Sequence, residues 1–142
     1  MKRPIIVVTA LAVAAGLAGA LATAQRPASP PEPPLVLPAV EQFAPGACRD
    51  AADTVRSLAR LTHGGDGTAL TPADSAELRR AQDRLVTLAP AATADVRASM
   101  DAVILALGYL RIRLDSRTLE PQYVRDVETG RAALEKTCVS AR

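Results

Sequence analysis

The chain has no tryptophan, one phenylalanine, two tyrosines and one histidine in 142 residues. With Phe43, Tyr109 and Tyr123 as its only aromatic rings, it lacks a set of platforms on which unpaired bases could stack. Net charge points the same way. Residues 39 to 142 hold fourteen Lys or Arg and fourteen Asp or Glu, so that part of the chain offers no basic footprint for phosphates. Nucleic acid is not an expected partner. Arginine outnumbers lysine fifteen to two, which reads as genome composition and carries no chemistry.

The scarcity of histidine and cysteine narrows the catalytic options. His63, the single histidine, would have to serve any base or metal site alone, with Asp66 as its nearest acidic companion. There is no G-x-S-x-G motif for a nucleophile elbow, and "GGDG" lacks the lysine and the preceding strand of a phosphate loop. The stretch from Asp66 to Glu77 has acids at the first and twelfth places of a calcium loop. Leu70 and Thr71 occupy the places of an inner acid and the turn glycine. The two cysteines, Cys48 and Cys138, are far from the C-x-x-C spacing of a redox pair. No enzyme activity, metal or cofactor is expected, and a hydrolase reading has only His63 and Asp66 to stand on.

What is present falls into three parts. Lys2 and Arg3 precede a charge-free run from Pro4 to Ala24, which as a helix would be about 31 Å long, enough to cross a hydrocarbon core with its cationic end inside. Residues 1–24 therefore read as a signal peptide or an N-terminal membrane anchor. Ala22-Thr23-Ala24 meets the small-x-small rule and favours cleavage after Ala24, whereas the length of the run favours retention. No cysteine follows the run, which excludes a lipid-modified N-terminus. Residues 25–46 form a proline-rich linker: "PASPPEPPLVLP", Pro27 to Pro38, holds six prolines and favours an extended spacer. The protein is thus expected to be secreted, or to sit on the extracytoplasmic face of the cell membrane and touch it only through residues 4–24.

Residues 47–142 read as an all-α domain, an up-down-up-down four-helix bundle closed by one disulfide. Helical spacing of apolar residues predicts segments over about 47–62, 72–90, 94–114 and 120–139, divided by glycine and proline. The first ends at His63-Gly64. The second opens on Thr71 as a cap with Pro72 at its first position. In the third, Val96, Met100, Val103, Leu107, Leu110 and Leu114 alternate four and three apart, so it should form the centre of the core. "YLRIRLD", residues 109–115, also alternates with period two like a half-buried strand, but no other segment could pair with it, so it is read as helix. The fourth should turn Tyr123, Val127, Leu134 and Cys138 inward, with Arg131 and Glu135 outside. Arg49 with Asp53, Arg79 with Asp83 and Arg97 with Asp101 read as pairs on solvated helix faces. Cys48 at the start of the first helix and Cys138 near the end of the last meet at one end of such a bundle, in the oxidising compartment that export supplies.

These features point to a non-enzymatic protein-protein interaction module of the bacterial cell envelope or medium, with an envelope or extracellular protein as partner. Gly108 and Gly130 suggest close approach of the last two helices. Tyr109, Arg111, Arg113 and Tyr123 mark the candidate ligand or partner surface beside them. The alternative is a carrier of a small apolar ligand, lipid or haem, with Tyr109, Tyr123, Met100 or His63 as axial ligand.

Overall fold

Proline and glycine stand at several of the helix boundaries. The computed structural model describes residues 33–141; the expected export segment, its cleavage point at Ala24 and the first part of the proline-rich spacer lie outside the described residues. Among the described residues there are four α-helices and no strand: α1 Ala47–Thr62, α2 Ser75–Leu88, α3 Ala94–Asp115 and α4 Pro121–Ser140. None of these helices is long and apolar enough to cross a membrane.

Local chemistry explains each boundary. Gly46 precedes α1 at φ +81° and ψ −140°, a region that is in effect reserved for glycine. Downstream, α1 stops at His63, where Gly64 takes φ +93°. Pro72 does not open α2 directly. Pro72–Asp74 forms a separate 3-10 turn, in which the Asp74 carboxylate accepts from the Thr71 amide at 2.7 Å and the Thr71 hydroxyl at 2.8 Å. Thr71 is the cap, as expected, and with Asp74 it forms a capping box on this turn. A second 3-10 turn, Ala89–Ala91, takes in Pro90 after α2. Arg97 reaches back to it, its Nε donating to the Ala89 carbonyl at 2.9 Å and its Nη2 to the Pro90 carbonyl at 2.6 Å. The expected Arg97–Asp101 pair is thus replaced by a cap on backbone carbonyls. Similarly, Arg49 turns to the Phe43 carbonyl and not to Asp53. The stretch 109–115 is helical throughout. Beyond it, Arg117 takes φ +56°, while the Thr118 amide donates to the Arg113 carbonyl and the Arg117 amide to the Leu114 carbonyl, the hydrogen-bond pattern of a Schellman stop.

Each helix packs on two others: α1 and α3 both contact α2 and α4. The core between them is aliphatic, with Val55, Leu58, Leu78, Leu85, Met100, Leu107, Leu110 and Leu134 fully buried. Phe43 is fully buried too, and the Ala44 amide donates to the Cys138 carbonyl at 2.9 Å. The packed body therefore begins ahead of α1, with residues that the sequence reading leaves in the linker. Gly130 faces Val103 so closely that a Cβ there would lie 3.3 Å from its Cγ2 and 3.6 Å from its Cα, so this glycine is where α3 and α4 approach. In the loop after α1, Gly67 sits at φ +73°, and a Cβ there would come within 2.8 Å of Val124 Cγ2, which seats the loop on α4.

Two devices join α1 to α4. Cys48 and Cys138 form a disulfide with a Cα–Cα distance of 5.3 Å, linking positions 90 residues apart. Such a bond points to an oxidising, extracytoplasmic environment. At the other end of α1, Arg131 of α4 is buried, only 5% exposed, contrary to its expected place outside. Its Nε and Nη2 donate to Glu128 at 2.9 and 2.6 Å and its Nη1 to Glu135 at 2.5 Å. Thr62 of α1 brings its hydroxyl to 2.6 Å from Glu128 Oε2. Burial works to raise the Glu128 carboxyl. The hydrogen bonds from Arg131 and Thr62, with the charges of Arg131 and His63, outweigh it and hold the carboxyl below its ordinary value.

Candidate functional site

Helix α3 carries two apolar seams. One is the predicted core seam, Val96, Met100, Val103, Leu107, Leu110 and Leu114, all buried. The other keeps the same four-three spacing two residues later: Ala98, Ala102, Leu105, Tyr109 and Ile112. At 100° per residue an offset of two places the second seam on the far side of the helix. There Leu105 is 62%, Tyr109 54% and Ile112 63% exposed. A helix that is apolar on both sides is ordinarily covered on both.

Beside this outer seam the surface is concave. A groove of about 350 Å³ between α2 and α3 is lined by Gln82, Asp101, Ile104, Leu105, Gly108, Tyr109 and Ile112. It adjoins a second of about 330 Å³, lined by Val86, Ala89, Pro90, Arg97, Asp101 and Ile104. Asp101 and Ile104 belong to both, so the two form one furrow along the α2–α3 boundary, and Val86, 51% exposed, extends its apolar lip onto α2. At its floor Gln82 is paired through both ends of its amide, while the neighbouring Arg111 keeps a buried Nε with no hydrogen-bond partner among the described residues. Gln82 Nε2 donates to the Ile104 carbonyl at 3.1 Å, and Gln82 Oε1 accepts from Arg111 Nη1 at 2.5 Å. Gly108 leaves room for this amide, since a Cβ would stand 3.4 Å from Gln82 Nε2.

The four residues expected to mark one surface are therefore divided. Tyr109 lies on the outer seam, and Arg111 turns toward α2. Arg113 turns toward α4, where its guanidinium lies 5.1 Å from the centroid of the Tyr123 ring, a cation–π contact. Tyr109 faces the furrow while Tyr123 belongs to the α3–α4 flank, so the expected pocket lined by both tyrosines is not formed. Leu105 and Ile112, which the sequence reading passed over, make up most of the apolar surface. Their signal was the second four-three spacing.

The residues considered for other chemistry are scattered. Met100 is fully buried in the core, His63 is exposed at the end of α1, and Tyr109 and Tyr123 lie on different flanks of α3. Asp66 closes its own loop, its Oδ1 accepting from the Thr68 amide at 3.0 Å and the Thr68 hydroxyl at 2.8 Å. Those bonds hold its carboxyl below the ordinary value. Glu77 accepts from Ser57 across the α1–α2 contact, so the acids of the would-be calcium loop are engaged separately. Among the described residues no group of three His, Cys, Asp or Glu could hold a metal ion. Comparison with family models, with curated proteins and with solved structures returns no match.

Proposed function

We propose that the protein is an exported, non-enzymatic interaction module whose docking face is the outer seam of α3 together with the α2–α3 furrow. One observation carries this reading: Leu105, Tyr109, Ile112 and Val86, each more than half exposed, lie along one continuous strip. Singly exposed apolar residues are common, whereas large ones grouped side by side are the kind of surface that marks interaction sites. The four-three spacing favours a helix as the docked element, since side chains recurring every 3.5 residues present a straight seam to a partner helix.

The finer architecture belongs to the same proposal. Successive helices alternate in direction, a sense supported by the bond between Ser75, at the start of α2, and Asp115, at the end of α3, and by the Gln82–Ile104 contact midway along both. The disulfide supports an extracytoplasmic location, with the proline spacer carrying the bundle away from the membrane or serving as a free N-terminal tail.

Photocrosslinking in the native host tests the docking face. A photoreactive phenylalanine analogue at Tyr109 should give discrete protein adducts, and the same group at exposed Arg60 on α1 should give none. Equal adduct patterns from the two positions would refute it.

A further inference from the structure

We infer that the segment ahead of α1 is a strap that guards the Cys48–Cys138 bond, so that a dithiol reductant reaches the bond when residues 35–44 lift away from a bundle that is still folded.

The bond is enclosed: Cys138 is fully buried and Cys48 is 4% exposed. Thiol–disulfide exchange needs a thiolate to reach one of the two sulfurs, so access limits the rate. Something must move first. The strap is the cover that lies outside the helices. Leu37, Pro38 and Gln42 border a groove with Glu135 and Val139 of α4, residues on either side of Cys138 in sequence. Phe43 is fully buried, and the Ala44 amide donates to the carbonyl of Cys138 itself at 2.9 Å. The strap therefore crosses α4 at the cysteine.

Its seating is slight beside that of a helix. The Phe43 ring, the partly buried Val40 and the Ala44 hydrogen bond hold it, together with Arg49, whose Nη2 donates to the Phe43 carbonyl at 3.3 Å. Its own regular structure is a short 3-10 turn, Val40–Gln42, whereas each helix packs on two others. Segments with few buried contacts open at lower free energy than the core, as units of their own. Gly46 supplies the hinge: no atom lies within 4 Å of where its Cβ would stand, so a turn of the backbone there meets no neighbour. Attack then falls on Cys48. It borders a notch of about 240 Å³ walled by the strap's end, Ala44 to Gly46, and by Ala91 to Thr93 between α2 and α3. One thiolate of the dithiol bonds to Cys48 Sγ, the Cys48–Cys138 bond breaks, and Cys138 leaves as a thiolate and takes up a proton. The second thiol displaces Cys48 in turn, so the protein gains two electrons and two protons and the dithiol becomes a disulfide.

The test uses the protein as isolated from its host, with its disulfide intact. It is reduced by dithiothreitol over a series of urea concentrations below the unfolding transition, and freed thiols are counted by the mass gained on alkylation. The rate should be nearly flat in urea, because lifting a short strap exposes little surface, whereas global unfolding exposes much and responds steeply. Phe43→Ala should raise the rate without urea by about tenfold or more. Leu37→Ser, which leaves the core intact, should raise it severalfold and carries the comparison should Phe43→Ala fail to fold. Leu107→Ala, a truncation in the middle of α3, should leave it within about twofold of the parent. With glutathione in place of the dithiol, the first mixed disulfide should map to Cys48. A rate that follows global unfolding at every urea concentration would overturn the inference, as would equal acceleration by the Phe43 and Leu107 variants. A fast reduction indifferent to both strap variants, or a first adduct on Cys138, would overturn it as well.

Discussion

Replacing Cys48 and Cys138 together by alanine lowers the stability of the domain by about 4.6 kcal/mol, the loop-entropy value for a closed loop of this length. The bridge joins residues 90 apart, at the start of α1 and near the end of α4. Without it the unfolded chain regains the freedom of nearly the whole domain. The folded state loses the clamp that holds its first and last helices together. Against a total of about 5–15 kcal/mol for a domain, that loss leaves a marginal fold. The melting temperature should fall by on the order of 20 °C. Thermal unfolding of the double variant beside the oxidised parent checks this directly. Matching curves would mean that the aliphatic core holds the helices without the bond.

The second large effect is expected at Arg131. Its guanidinium joins Glu128 and Glu135, and it is almost fully enclosed, with a side-chain exposure of 7% against 34% and 23% for the two acids. Arg131→Met keeps much of the volume but strands two carboxylates beside Thr62. Breaking a fully buried pair costs about 3–5 kcal/mol; because these acids retain some water, about 2–3 kcal/mol is expected. Adding Glu128→Gln should recover part of the loss, since an uncharged amide tolerates the site better than a lone carboxylate. The dependence on pH has a definite sign. Glu128 titrates below its ordinary value of 4.5 in the folded protein, so its contribution is complete above that value and is lost as pH falls through the lower, folded one. Urea unfolding of the parent should therefore weaken on the acid side of pH 4.5. In Arg131→Met this acid-side loss should shrink. A variant as stable as the parent at pH 7 would contradict the role assigned to Arg131.

Much of the fold was legible in punctuation. Gly64, Pro90 and Pro121 stand at helix boundaries, and the four-three spacing of α3 named every one of its buried residues. The cysteines could be paired because each falls at the end of a helix where the other is within reach. Arg131 was misplaced for a physical reason: arginine is usually exposed, and that expectation overrode the spacing Val124, Val127, Arg131, Leu134 and Cys138, which puts it on the inner face. Buried arginine needs partners, and Glu128 and Glu135, three and four residues away, were the available signal.

The candidate site was harder to read because two regularities overlap. Leu110 and Leu114 belong to the inner seam of α3 and Ile112 to the outer one. Two helical seams displaced by two residues produce the alternation that resembles a strand in "YLRIRLD". Within a helix the alternation still has a meaning: a helix exposed to water on one side has no need of isoleucine and leucine there. The tyrosines and arginines drew notice as the conspicuous side chains. Arg111 and Arg113 are instead engaged within the fold, by Gln82 and by the Tyr123 ring.

The claim that α3 has one seam for folding and another for docking is tested by comparing two leucines on the same helix. Leu107→Ala and Leu105→Ala remove the same atoms two residues apart, the first fully buried and the second 62% exposed. Denaturant unfolding at low protein concentration should show a loss of about 3 kcal/mol for Leu107→Ala and a change within about 0.5 kcal/mol for Leu105→Ala, while crosslinking from position 109 should fall only for Leu105→Ala among variants that remain folded. Equal losses of stability at the two positions, or crosslinking untouched by Leu105→Ala, would contradict it.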